Sequence, residues 1–313
     1  KIGLPSDQVA TYLAKGYARN DRVGNSYLEQ EYESVLSGTK SQWETITDQS
    51  GAVVAREESY EGKAGDNLVL TIDIDFQKEI EQIATDFLNS NVDSYNDRIY
   101  IVASDPNTGE ILGMTGKQRS TSNEIVDDAL GVINSSYGMG SAVKGAMVLT
   151  GYMSGVISAD NNVLVDEPLQ FQGSNPKKSV FNPTIGNQVA INDIEALARS
   201  SNVYMIKLAM LMGGQSTYES GGTLNISPDL IDELRSYFAQ FGLGVKTGID
   251  LPNEGSGLTG FSQAAVNVVD QSFGQYDLYT TLQLSQYINT IANGGTRYAP
   301  QLVSEIRSTD ANG

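Results

Sequence analysis

Cysteine and histidine are both absent from the 313 residues. Without cysteine there is no disulfide, no thiolate nucleophile and no zinc–thiolate site. Without histidine there is no Ser-His-Asp triad, and the usual imidazole base and transition-metal ligand are gone. Hydrolytic or acyl-transfer chemistry must then draw its base from Lys, Asp, Glu or Tyr, and no metal or other cofactor is expected. Positive charge is scarce as well: 20 Lys and Arg stand against 38 Asp and Glu, a net of -18. The longest basic feature is Lys177 beside Lys178. Nucleic acid is therefore set aside as a partner, because binding it depends on clustered cations. No apolar run approaches the roughly 20 residues that cross a bilayer. A chain without cysteine suits an oxidising or uncontrolled compartment. It opens at Lys1 with neither an initiator methionine nor a signal-like segment, which reads as a piece of a longer protein whose anchor or export signal lies outside it.

What is present is enough apolar residue, 40%, for one large domain or a domain with a smaller companion. Residues 1 to about 62 are polar and irregular. "LPSDQVATYLAKGYA" predicts a short helix capped by Ser6 or Asp7. "NSYLEQEYESVLSG" predicts another, with Tyr27, Leu28, Tyr32 and Leu36 on one face and Gly38 as its stop. "SQWETIT", holding the lone Trp43, alternates like a strand. After "GKAGD" at 62–66 the texture changes. "NLVLTIDI" reads as a strand, and Phe76, Ile80, Ile83 and Phe87 then recur at helical spacing. "RIYIVAS" and "EILGMTG" flank the turn "DPNTG" and predict a β-hairpin. Helices are expected from Ser141 to Gly155, over roughly Ala190 to Met212, in "SPDLIDELRSYFAQFG" opened by Ser227 and Pro228, and in "TTLQLSQYINTIANGG" closed by Gly294 and Gly295. The class is α+β, with helices against an antiparallel sheet.

The chemistry centres on "SAVK". S-x-x-K occurs three times: Ser37 to Lys40, Ser141 to Lys144 and Ser174 to Lys177. Only the second opens an apolar run long enough for a core helix. Positions three apart share a helix face, so the Lys144 amine can approach the Ser141 hydroxyl. The helix N-terminus favours negative charge beside the serine. Burial among Ala142, Val143, Ala146 and Met147 penalises the ammonium and frees the amine to act as a base. Gly138 and Gly140 leave room for a substrate backbone. An ordinary N-cap serine and a solvated first-turn lysine would explain the same two residues. Ser200, Ser201 and Asn202, however, interrupt the apolar stretch "EALARSSNVYMIKLAML". Three small polar groups there must either cap a break or face a polar cavity. A second S-x-N, at 94–96, lies in a polar loop and fits no site.

S-x-x-K opening a core helix, followed by S-x-N between helices, resembles the active-site signature of penicillin-binding proteins and serine β-lactamases. "VASDPNTGEILGMTG", "FGLGVKTGIDLPNEGSG" and "DQSFGQYDLYTTLQLSQYINTIANGGTRYAPQLV" extend the likeness over nearly the whole chain. They are similar to class B penicillin-binding proteins, most of all to the 2B type of Gram-positive bacteria. The resemblance implies a penicillin-binding transpeptidase fold over residues 63–313, preceded by the end of an N-terminal pedestal domain at 1–62. It implies a D,D-transpeptidase, membrane-anchored by a segment outside this chain and facing the outside of the bacterial membrane. Ser141 would attack the D-Ala-D-Ala end of a peptidoglycan stem peptide, Lys144 would take its proton, Ser200 would relay protons, and Asn202 would hold the substrate amide and Lys144. β-Lactams would acylate Ser141, and cell-wall elongation or division proteins would be partners. Two other readings remain: a sensor, scaffold or inactive fragment that does not turn over, and a β-lactamase, against which the N-terminal region and "GIDLPNE" argue.

The family also has a K-T-G or K-S-G strand. The single match, Lys246-Thr247-Gly248, follows Asn202 too closely, and its flanks, with Pro252, do not read as a sheet strand. The third motif and the last sheet strands are therefore expected beyond Gly313, leaving the first strands of the sheet without partners. Met139-Gly140 stands where many relatives have Pro-Gly.

Overall fold

A cysteine-free polar segment must be held by local turns and backbone pairing, and the first unit of the chain is built that way. The computed structural model describes residues 3–92 and 95–309. It contains two compact units, one of Lys1–Ile72, Gly248–Glu254 and Pro300–Gly313, the other of Asp73–Thr247 and Gly255–Ala299.

In the first unit, α1 (Val9–Ala14) starts later than its cap signals predict. Gln8 precedes it and no side chain caps it. The second expected helix divides into α2 (Tyr27–Glu31) and α3 (Glu33–Leu36). Tyr32 interrupts it, and the Tyr32 hydroxyl donates to Asp250 Oδ2 at 2.9 Å. Strands β1 (Gln42–Thr47) and β2 (Val53–Tyr60) form an antiparallel ribbon exposed along its length. Strand β3 (Asn67–Leu70) is shorter than "NLVLTIDI" suggests, and pairs antiparallel with the strand Val303–Arg307. The "GIDLPNE" connector has a structural task here. Asp250 accepts from the backbone N–H groups of Leu302 (2.7 Å) and Val303 (3.0 Å) as well as from Tyr32.

The second unit begins with Asp73, whose carboxylate accepts from the N–H groups of Asp75 and Phe76 and caps α4 (Ile74–Ser90). The buried stripe of α4 is Ile80, Ala84 and Leu88, while Phe76, Ile83 and Phe87 are exposed. The helix exists as the periodicity predicts, but its inward face is set by an i, i+4 row that includes an alanine. Strands β4 (Arg98–Ser104) and β5 (Ile111–Arg119) form the expected hairpin. The pair is not left alone: β6 (Ile125–Asp127) adds to β5, giving a three-stranded antiparallel sheet in the order β4-β5-β6. Strand β5 thus has a partner over Lys117–Arg119 that the sequence did not predict, while β4 stays at the edge of the sheet among the described residues.

Helix α5 (Gly131–Asn134) and strand β7 (Ser136–Tyr137) lead into a 3-10 turn over Gly140–Val143, then α6 (Lys144–Met153). The hairpin β8 (Leu164–Asp166) and β9 (Val189–Ile191) comes next, so Ala190 is in a strand and not a helix. Beyond it, α7 (Asp193–Ala198) and α8 (Asn202–Met212) are separated by a sharp corner. Helix α9 (Leu230–Gln240) starts after Asp229, two residues later than Ser227 and Pro228 predict. Helix α10 (Ala265–Gln271) and strand β10 (Tyr279–Thr280), which pairs with β7, precede α11 (Thr281–Ala292). Helix α11 opens on a Thr280–Gln283 capping box, and Gly294 and Gly295 follow it with positive φ. The main core gathers Val143 and Met147 with Val203, Ile206, Ile231, Leu234, Phe238 and Val268. Helices α6 and α8 are thus locked side by side, which places the two sequence motifs together. Among the described residues, no helix is long and apolar enough to cross a membrane.

Candidate active site

Gly140, at φ +53°, turns the chain into the 3-10 segment that carries Ser141. Its N–H donates to the carbonyl of Gly274 at 3.0 Å. Gly274 is itself at φ +80°, and a Cβ on it would lie 2.1 Å from the Gly140 oxygen. Gly274 therefore has no room for a side chain at this contact, and Gly140 takes its left-handed conformation without the strain another residue would carry. Ser141 and Ala142 are exposed at the surface, so only part of the expected apolar surround is present. Val143, Ala146 and Met147 are fully buried.

One turn on, Lys144 is 2% exposed. Its Nζ donates to the Ser200 carbonyl at 2.7 Å, to Ser200 Oγ at 3.0 Å and to Asn202 Oδ1 at 2.7 Å. Among the described residues these three oxygens, not Ser141 Oγ, are its hydrogen-bond partners. Burial lowers the amine from its ordinary 10.5 to about 8, and the negative charge of Asp166 opposes part of that fall. Near neutrality a minority of molecules then carry a free amine beside the Ser200 hydroxyl.

The Ser200 corner is held in an unusual backbone conformation. Ser200 has φ +53°, which costs a non-glycine residue about 1–3 kcal/mol. The N–H groups of Ser200 and Ser201 donate back to Leu197 (3.1 Å) and Ala196 (2.8 Å), ending α7 and turning the Ser200 carbonyl toward Lys144. Ser201 is buried and caps α8, accepting from Tyr204 N–H at 2.9 Å. The two roles open to the serine pair in sequence are divided: Ser201 caps the break and Ser200 faces the polar site. Asn202 is fixed at both ends of its amide, with Nδ2 donating to the Lys178 carbonyl at 3.0 Å.

Sequence reasoning missed Asp166. It is 1% exposed and accepts from Ser179 Oγ (2.6 Å), Ser201 Oγ (2.5 Å) and Asn182 Nδ2 (3.0 Å). A pair of carboxylates, Asp166 and Glu167, within the otherwise apolar run "VLVDEPLQF" is the signal the sequence offers. Lys246-Thr247-Gly248, set aside in the sequence, lies in irregular chain with Lys246 exposed. Lys246→Ala is accordingly expected to leave the rate of acylation by penicillin at its wild-type value; a stopped-flow or gel-based time course measures it, and a large loss would restore that triplet to the site. Ser94, of the second S-x-N, falls outside the described residues.

The family model for the penicillin binding protein transpeptidase domain matches residues 99–312. The chain belongs to that family. The model for the penicillin-binding protein dimerisation domain matches residues 1–70. Penicillin-binding protein 2A of Bacillus subtilis is 48% identical over 318 residues, covering 99% of this chain and 43% of that protein. Penicillin-binding protein 2B of Streptococcus pneumoniae is 39% identical over 321 residues, covering 100% of the chain and 47% of its own length. The solved structure of penicillin-binding protein 2B from Streptococcus pneumoniae strain R6 superposes with a TM-score of 0.89 at 38% identity, covering 99% of this chain and 51% of that one. The chain thus spans about half the length of the relatives it matches. The class B resemblance drawn from the motifs agrees with these relatives, and so does the α+β penicillin-binding fold.

Proposed function

We propose that this chain carries the acylation machinery of a serine D,D-transpeptidase that cross-links peptidoglycan stem peptides. The observation that carries the reading is the buried Lys144 amine, held 3.0 Å or less from Ser200 and Asn202, one helical turn from an exposed serine at a helix N-terminus.

In this reading the free amine of Lys144 takes the Ser141 hydroxyl proton as Oγ attacks the penultimate D-Ala carbonyl. The tetrahedral oxyanion forms beside the N-terminus of the 3-10 segment and α6, where the Ser141 backbone N–H and the helix dipole favour negative charge. The C–N bond then breaks. The proton reaches the departing D-Ala amine through Ser200 Oγ, leaving an acyl ester on Ser141. An acceptor amine from a second stem peptide attacks that ester, forms the new amide and returns Ser141 to its hydroxyl. Asn202 orients Lys144 through Oδ1. A β-lactam carbonyl enters the same path but keeps its leaving nitrogen tethered, so the ester persists.

The domain reading goes with the chemistry: residues 1–62 as the end of a pedestal and 63–313 as transpeptidase. An extracytoplasmic location on a membrane anchor outside this chain, and cell-wall elongation or division proteins as partners, follow from the same family likeness. The test is to incubate the full-length protein with a labelled penicillin, measure intact mass and map the modified peptide. One adduct on "GSAVK" is the expected result. Absence of an adduct on folded protein would overturn the reading.

A further inference from the structure

Asp166 is a buried carboxylate with no cation bonded to it among the described residues. Among the described residues, every side-chain group bonded to it is neutral: the hydroxyls of Ser179 and Ser201 on Oδ2, and the Asn182 amide on Oδ1. Asn182 Nδ2 also donates to the Asp166 backbone carbonyl at 2.9 Å, and Asn187 Nδ2 donates to Asn182 Oδ1 at 2.7 Å. The amide is therefore fixed as a donor toward Asp166. All three side-chain contacts point donors at Asp166, so a carboxylate fits and a carboxamide would set one donor against another.

The two hydroxyls do not end at Asp166. Ser179 Oγ accepts from the N–H groups of Asn202 (3.0 Å) and Val203 (3.2 Å), and Ser201 Oγ accepts from Tyr204 N–H (2.9 Å). Three free N–H groups of the first turn of α8 are thus gathered by two serines, whose protons pass to one carboxylate. A buried charge without a cation is costly, and a helix N-terminus is one place where a negative charge offsets that cost. We propose that Asp166 is a positioning residue for acylation: through Ser179 and Ser201 it clamps the first turn of α8, and so fixes the Ser200 and Asn202 oxygens that hold Lys144 Nζ. This rests on the transpeptidase reading above and adds a residue outside its two motifs.

Other charged groups lie on the helices packed against α6. Lys207 on α8 is paired with Glu167 (2.8 Å), Asp193 on α7 accepts from Tyr152 (2.9 Å), and Arg235 on α9 binds Asp277 (2.9 Å). The negative charge of Asp166 favours the Lys144 ammonium and so opposes part of the effect of burial.

The experiment measures the second-order rate of acylation by a fluorescent penicillin from pH 5 to 10, using full-length wild type, Asp166→Asn and Ser201→Ala. In wild type the rate climbs as Lys144 loses its proton and then levels off. Asp166→Asn is expected to lower the plateau by about tenfold or more through misplacement of the acceptors. It should also move the rising limb down by about half a pH unit or more, because a negative charge that favoured the ammonium is gone. Simple loosening that admits water would move the limb up instead, since hydration favours the ammonium. A wild-type plateau, or an upward shift, therefore overturns the proposal. Ser201→Ala keeps the carboxylate and should lower the plateau without the downward shift. If Asp166→Asn does not fold, a wild-type plateau in Ser201→Ala overturns the proposal. Wild type without a Ser141 adduct overturns the transpeptidase reading and this proposal together. Wild-type-like variants with a normal adduct overturn only the role of Asp166.

Discussion

Ser141→Ala is expected to abolish the penicillin adduct completely while leaving the thermal midpoint nearly unchanged. Ser141 is exposed, and among the described residues its hydroxyl holds no partner whose loss would weaken the fold. Alanine is also well tolerated at the start of a helix. The stability change should stay within about 0.5 kcal/mol, as for other surface positions. A chain without cysteine offers no thiolate to replace the hydroxyl. One rival deserves a direct check, because Ser200 Oγ lies 3.0 Å from the same amine. Intact mass followed by peptide mapping separates the two serines. Label on the Ser200 peptide in wild type would reassign the nucleophile, and label retained by Ser141→Ala would do the same.

Lys144→Ala should slow acylation by about 10²–10⁴-fold, the usual contribution of a positioned general base. The fold should survive. Truncation removes a buried ammonium whose desolvation was itself unfavourable, and Ser200 and Asn202, whose oxygens are left behind, are only half-buried. The pH dependence follows from the sign of the shift. Burial disfavours the ammonium and brings the amine down to about 8, so the free amine, the proposed base, is the minor form at pH 7. Wild-type acylation should rise through about pH 8 and then level, and Lys144→Ala should lose that limb. Stability should respond in a matching way. Between about 8 and the unperturbed 10.5 the unfolded chain binds more protons at this lysine than the folded one, so wild-type stability should gain from rising pH in that window. Denaturant titrations of wild type and Lys144→Ala at pH 7 and 9.5 measure the difference. A flat acylation profile would show that Lys144 is not the titrating base.

Local signals carried much of this fold. The β4–β5 hairpin follows from Pro, Asn and Gly between two apolar runs, and α11 follows from its Thr280 cap and closing glycines. They failed where a distant residue chose between local options. Tyr32 ends α2 and reaches Asp250, which is 218 positions away, and no nearby residue could announce that. The inward stripe of α4 shares Ile80 with the one its periodicity predicts and then departs from it. Ile80, Ala84 and Leu88 form the buried row, and the larger Ile83 and Phe87 are exposed.

The sequence alone determined the available chemistry. With no histidine and no cysteine, a serine paired with a lysine at the head of an apolar helix was the economical acyl-transfer apparatus, and the motif order carried the family. Tertiary structure decided how that pair is completed. Lys144 meets Ser200 and Asn202 across 56 and 58 positions, because the apolar faces of α6 and α8 pack into one core. Asp166 joins them only because the β8–β9 hairpin returns beneath the first turn of α8. Helical periodicity reaches a few residues along the chain, whereas these contacts depend on how whole elements fill space.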